Sequence, residues 1–148
     1  MAEAPAVDSS PLIYLARTGN LLILKALALT FLIPEPVLDE IRAAPWLSVV
    51  PPPSIPQTLL AWDLGKGEAS VLAWALSRPG TIAVLDDQRA RSYAQWHGIP
   101  VIGTLGIVLR AKRQGMIPLA RPVIQDLIAR GMYLSKAVAN KALALVGE

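Results

Sequence analysis

"TIAVLDDQRA", residues 81–90, drives a β-branched and aliphatic run into two adjacent aspartates, Asp86 and Asp87, and then into the helical pattern "QRARSYAQW". Two like charges side by side repel, with ~4 kcal/mol of Coulomb energy at 4 Å near a protein surface. A strand that ends on such a pair needs an offset. Part of it is local, because an aspartate before a helix accepts hydrogen bonds from the first free N–H groups and suits the helix dipole. Capping explains either aspartate taken singly. The pair has to be judged against the rest of the chain.

Outward from that stretch, short apolar runs alternate with segments of three- and four-residue apolar spacing. Strands are predicted at "PAVD" (5–8), "TFLI" (30–33), "LSVV" (47–50), "TIAVL" (81–85) and "PVIG" (100–103). Alternation of this kind predicts a mainly parallel sheet of about five strands with helices on both faces, a three-layer α/β/α sandwich. The 148 residues suit a single domain, 1–148, with a core over about 4–116 and a C-terminal helical extension over about 117–148. That extension, "PVIQDLIARGMYLSKAVANKALALVGE", reads as two helices broken at Gly131, with Ser135 capping the second. "PPPSIP" (51–56) is a stiff connector inside the domain.

Composition narrows the function classes. Hydrophobic residues make up 53% and charged residues 17%, which excludes a disordered chain. With no cysteine, neither a disulfide framework nor a thiolate metal site is possible. The longest apolar stretch, "LLILKALALTFLI", is interrupted by Lys25 and closed by Pro34, too short to span a bilayer. "MAEAPAVDSS" lacks the basic start and apolar core of a signal peptide, so a soluble cytoplasmic protein with no membrane partner is expected. Net charge is +3, yet between Asp87 and Asp126 the chain carries Arg89, Arg91, Arg110, Lys112, Arg113 and Arg121 with no acid. That segment suits either a polyanionic partner or a solvated helix face.

In open parallel sheets, ligands bind beyond the carboxyl ends of the strands. Asp8 ends the first predicted strand and Asp86 and Asp87 end the fourth, so the three can meet at one rim. Two glutamates join them. In "PEPVLDEIRAA" Glu40 borders the stripe of Val37, Leu38, Ile41 and Ala44. In "GKGEASVLAWAL" Val71, Leu72 and Ala75 follow Glu68 by three, four and seven residues, which aligns Glu68 with the face that docks on the sheet. A carboxylate there must find a cation or a proton. The lone histidine, His97, sits at a helix end before Gly98, a packing or dipole position.

Five segments resemble the PIN-domain nucleases, typified by the toxins of VapBC-type toxin-antitoxin pairs. The first is "VDSS" (7–10) running on into "PLIYLARTG" (11–19); the others are "IPEPVLDEI", "LGKGEASVLAWAL", "VLDDQRAR" and "GIPVIGTLGIVLRAKRQG". The LDD and GTLG segments look closest to a predicted nucleic-acid-binding branch of that family. The resemblance covers nearly the whole chain, and it lies in the order and spacing of the acids. It implies that Asp8, Glu40, Glu68 and Asp87 form an acidic quartet binding Mg²⁺ or Mn²⁺, with Asp8, Glu68 and Asp87 as ligands. The family's Thr-x-Asp motif aligns with Leu85, Asp86 and Asp87, with leucine in place of threonine and an added Asp86 beside the ligand. Ser9 and Thr104 would offer hydroxyls to the metal shell or phosphate, or cap helices. Arg89, Arg91, Arg110 and Arg113 would flank the rim and bind RNA.

The chemistry fits that implication, because a hard cation among carboxylates offsets their repulsion and supports phosphodiester hydrolysis without a nucleophilic side chain. The implied protein is an endoribonuclease, a toxin-like hydrolase with an antitoxin partner, forming a homodimer. A catalytically weak PIN-like module that binds RNA or protein is the alternative. Two other classes fit poorly. Aspartyl-phosphate phosphatases resemble "DxDxT" at the end of the first strand, where this chain follows Asp8 with Ser9 and Ser10 and has no second acid. The phosphate-contacting lysine of receiver domains has no counterpart in "VIGTLG".

Overall fold

A computed structural model describes residues 3–34, 47–51 and 53–148 of the chain. Five parallel strands form one sheet: β1 (Ala6–Val7), β2 (Phe31–Pro34), β3 (Leu47–Val50), β4 (Ala83–Val84) and β5 (Val101–Ile102). Their order is β3-β2-β1-β4-β5, with Val7 opposite Val84 and Val84 opposite Ile102. All five predicted strands are present. The outermost prolines shorten two of them, because Pro5 and Pro100 have no N–H to add to the ladder. Their carbonyls still accept, from Leu32 N at 2.8 Å and from Ala83 N at 2.8 Å.

The helices are α1 (Ser9–Arg17), α2 (Gln57–Leu60), α3 (Lys66–Ser77), α4 (Gln88–Trp96), α5 (Thr104–Arg113), α6 (Arg121–Ala129) and α7 (Lys136–Leu145), with a 3₁₀ segment over Leu21–Ala26. Their layers follow from handedness. A parallel crossover is right-handed, so α1, which leads from β1 outward to β2, lies on the face opposite α3 and α4, which lead the other way to β4 and β5. Packing agrees: α3 meets β1, β2, β4 and α4, while α1, α5 and the 3₁₀ segment pack together and α6 and α7 lie against α5. The result is the α/β/α arrangement that the strand and helix alternation predicts. The stripe of Val37, Leu38, Ile41 and Ala44, with Glu40, lies outside the described residues.

Ala6, Val7, Ala83 and Val84 are fully buried, as strands covered on both faces must be. In α3 the buried Val71, Leu72 and Ala75 form the predicted docking face. The C-terminal pair breaks where expected. Gly131 adopts φ +104°, a conformation that disfavours side chains, and the Ser135 hydroxyl accepts from Val138 N at 3.2 Å to start α7.

Leu72 has no exposed surface at the centre of this layer. Leu72→Ala is expected to cost about 2–5 kcal/mol in urea denaturation. A loss under about 1 kcal/mol would mean that α3 does not dock as described.

Candidate functional site

The strand order reverses between β1 and β4, and at such a switch point the chains leave in opposite directions and open a crevice. Asp8 stands at that point, its N–H donating to the Val84 carbonyl at 3.0 Å. Only 2% of its surface is exposed, and its Oδ1 has no hydrogen-bond partner. Burial pushes its pKa up to about 7, the charge of Glu68 pushes the same way, the Ser9 backbone N–H opposes, and Asp86 and Asp87 add smaller upward pushes. Three carboxylates from two other chain segments therefore act on Asp8 here. Glu68 reaches the place from the first turn of α3 by folding back over Gly65, whose missing Cβ leaves room for the carboxylate.

The paired aspartates cap two different helices. Asp87 precedes α4, and its Oδ2 accepts from Ala90 N at 2.9 Å. Asp86 turns across to α5, whose N-cap residue, Gly103, has no side chain to offer. Its Oδ1 accepts from Thr104 N at 2.7 Å and its Oδ2 from the Thr104 hydroxyl at 2.6 Å, with the Ser10 hydroxyl at 3.5 Å. A Cβ on Gly103 would lie 3.0 Å from Asp86 Oδ1 and collide with the Arg91 guanidinium, which donates to the Leu85 carbonyl at 3.4 Å. Glycine at 103 thus lets an anion and a cation share one helix N-terminus. Such charge-assisted bonds are about twice as strong as neutral ones, and they oppose the repulsion that the pair would otherwise suffer.

A cleft of about 970 Å³ opens beside these groups. Ser10, Glu68, Asp86, Asp87 and Arg91 line one end. The rest is largely apolar, formed by α5, the α6–α7 loop and α7. Of the four arginines expected around the rim, the structure brings Arg91 to the cleft. Arg89 donates instead to the Trp62 carbonyl at 2.6 Å. Arg110 donates to the Ala26 carbonyl at 2.8 Å, and Arg113 lies in the last turn of α5, roughly 14 Å along the helix from Thr104. Ser9 occupies the first position of α1, and its neighbour Ser10 is the serine that lines the cleft. Thr104 is fully buried, its hydroxyl committed to Asp86.

Glu40 lies outside the described residues. Among the described residues, no three acids or imidazoles stand close enough together to chelate one ion. His97 is the C-cap of α4, stacked on Tyr93 with ring centroids 4.1 Å apart, in the packing role expected of it. The sequence reading overlooked the cleft's far wall, which includes Tyr133 and Lys141. Lys141 follows Val138 by three residues and precedes Leu145 by four, a spacing that puts all three on one helix face and could have revealed it.

The sequence model of a family described as a PIN domain matches residues 5–148. No curated protein and no solved structure matches the chain.

The Asp8 environment sets a pH dependence. A carboxyl whose folded pKa exceeds its unfolded value of 3.8 binds its proton more tightly in the native state. Its contribution to stability is complete below pH 3.8 and is lost as pH rises to about 7. Over that window wild type should lose ~4 kcal/mol relative to Asp8→Asn, which cannot ionise. Denaturation of both proteins at the two ends of the window measures the difference. Parallel stability curves would show that Asp8 is not held in a protonating environment.

Proposed function

Because the chain belongs to the PIN-domain family, whose members are generally nucleases, we propose that it is a divalent-metal-dependent endoribonuclease that hydrolyses phosphodiester bonds in RNA. The observation that carries this reading is the buried, unpartnered Oδ1 of Asp8, surrounded by the charges of Glu68, Asp86 and Asp87. A buried carboxyl among like charges is unfavourable unless a proton or a cation balances it. The donor set is made of hard oxygens, which suits Mg²⁺ or Mn²⁺. Asp8, Glu68 and Asp87 would hold the ion, with Asp86 beside them; Glu40, the fourth acid of the expected quartet, lies outside the described residues.

When bound, such an ion supplies an acidified water and stabilises charge on the leaving oxygen. The chain's own residues do the rest. Thr104 holds the Asp86 carboxylate in one orientation through two hydrogen bonds, so it does not swing with the ligands it adjoins. Arg91, on the cleft wall, offers its guanidinium to a substrate phosphate. Asp8 would lose its proton to solvent on binding the ion. The sequence resemblance to toxin components extends the reading to a toxin-like protein restrained by an antitoxin; a homodimer in the cytoplasm completes it.

One observation favours a second reading, a PIN-like RNA- or protein-binding module with weak cleavage. Both oxygens of Asp86 are engaged by Thr104, and among the described residues no chelating group of three is complete.

Incubation with a mixed pool of structured and unstructured RNAs, with and without Mn²⁺, separates the two. The nuclease reading predicts Mn²⁺-dependent fragments that Asp8→Asn and Glu68→Gln reduce to the metal-free level, while both variants melt no lower than wild type without metal. Wild-type cleavage by either variant would remove that residue from the site. RNA binding without Mn²⁺-dependent turnover would leave the binding module.

A further inference from the structure

The cleft extends well beyond its acidic residues. At about 970 Å³ the whole space sits near the top of the ~300–1,000 Å³ range of ligand pockets. Its outer wall is the α6–α7 loop and one face of α7. Val138, Lys141, Ala142 and Leu145 follow at helical spacing along that face, and Val138 and Leu145 are 49% and 62% exposed. Tyr133, in the loop, is 93% exposed. The Tyr14 hydroxyl, from α1, donates to the Gly131 carbonyl at 3.4 Å and ties the loop to the domain. The floor is kept low by Gly106, where a Cβ would lie 2.8 Å from Ile102 Cγ1.

Charge decides what such a wall receives. Lys141 has no acidic partner among the described residues, and all the carboxylates lining the cleft lie at its other end. A chain leaving the acidic rim would find Arg91, the exposed ring of Tyr133 and the ammonium of Lys141 in the lining of one cleft. Such a lining suits a polyanion with stacking bases better than a peptide, whose apolar anchors would leave Lys141 without counter-charge.

We propose that this arm of the cleft is a subsite for an unpaired nucleotide of single-stranded RNA, with its base stacked on Tyr133 and its phosphate against Lys141. It rests on the nuclease reading for the identity of the substrate, and it makes Tyr133 and Lys141 positioning residues rather than catalytic ones. Paired bases cannot present their faces to the ring, so duplex RNA is a poor occupant.

Binding of a fluorescent single-stranded oligoribonucleotide to the full chain in EDTA tests the proposal apart from cleavage. Tyr133→Ala should weaken binding about 5- to 150-fold, as loss of one stacked base does, and Tyr133→Phe should retain it. Lys141→Gln should lower the slope of log affinity against log salt by about 0.7, the value of one single-strand phosphate contact. The same strand annealed to its complement should bind more weakly than the single strand. Unchanged binding by Tyr133→Ala, equal binding of duplex, or no binding of single-stranded RNA at all would overturn the subsite. So would weaker RNA binding caused equally by alanine and phenylalanine, since a ring-preserving change leaves stacking intact. An Mn²⁺ cleavage assay run in parallel keeps the two readings distinct. Loss of binding in Tyr133→Ala without any wild-type turnover supports the subsite and fails the nuclease, whereas normal turnover with unaffected variants does the reverse.

Discussion

The carboxylate of Asp86 accepts two hydrogen bonds from Thr104, one from the backbone N–H and one from the hydroxyl, and the arrangement around the cleft depends on that grip. It joins the end of β4 to the start of α5 across 18 residues of chain. It fills the cap that Gly103 leaves empty, and it turns Asp86 away from Asp87. Without it, α5 would begin with unpaired donors and the two neighbouring charges would have only water to separate them. Gly103 is the price of the arrangement, since any side chain there would displace Arg91.

Around that grip the acids divide their tasks by burial. Asp87 is exposed and caps α4, Asp86 is half-buried and caps α5, and Asp8 is buried with an oxygen that nothing satisfies. Capping therefore explains the pair of aspartates that ends β4, and it does not explain Asp8. The remaining imbalance sits on Asp8, whose pKa is pushed up to about 7. A site that can trade a proton for a cation near neutral pH has a physical use for that position.

Much of the fold was legible because the signals were local. Buried parallel strands read as short apolar runs, and Gly131 and Ser135 mark a helix break by their own conformational chemistry. The acids at Asp8, Asp86 and Asp87 could be placed on one rim because strand ends converge there in any such sheet. The partner that Asp86 finds could not be read, since it depends on the missing side chain at Gly103 and on a threonine 18 residues away. The partners of the arginines were illegible for a related reason. Charge along the chain says nothing of helix faces, and Arg89 and Arg110 donate to the carbonyls of Trp62 and Ala26. Tyr133 escaped notice because no local signal marks it, and Lys141 because its spacing with Val138 and Leu145 takes on meaning only once the cleft is seen.

The central claim, that the buried carboxyl of Asp8 exchanges its proton for a divalent cation, is tested most directly by calorimetric titration of Mn²⁺ at about pH 6 in buffers of different ionisation enthalpy. With Asp8 protonated below its pKa of about 7, Mn²⁺ binding should release close to one proton per site, and Asp8→Asn should abolish that release. Binding without proton release, or release that persists in Asp8→Asn, would contradict it.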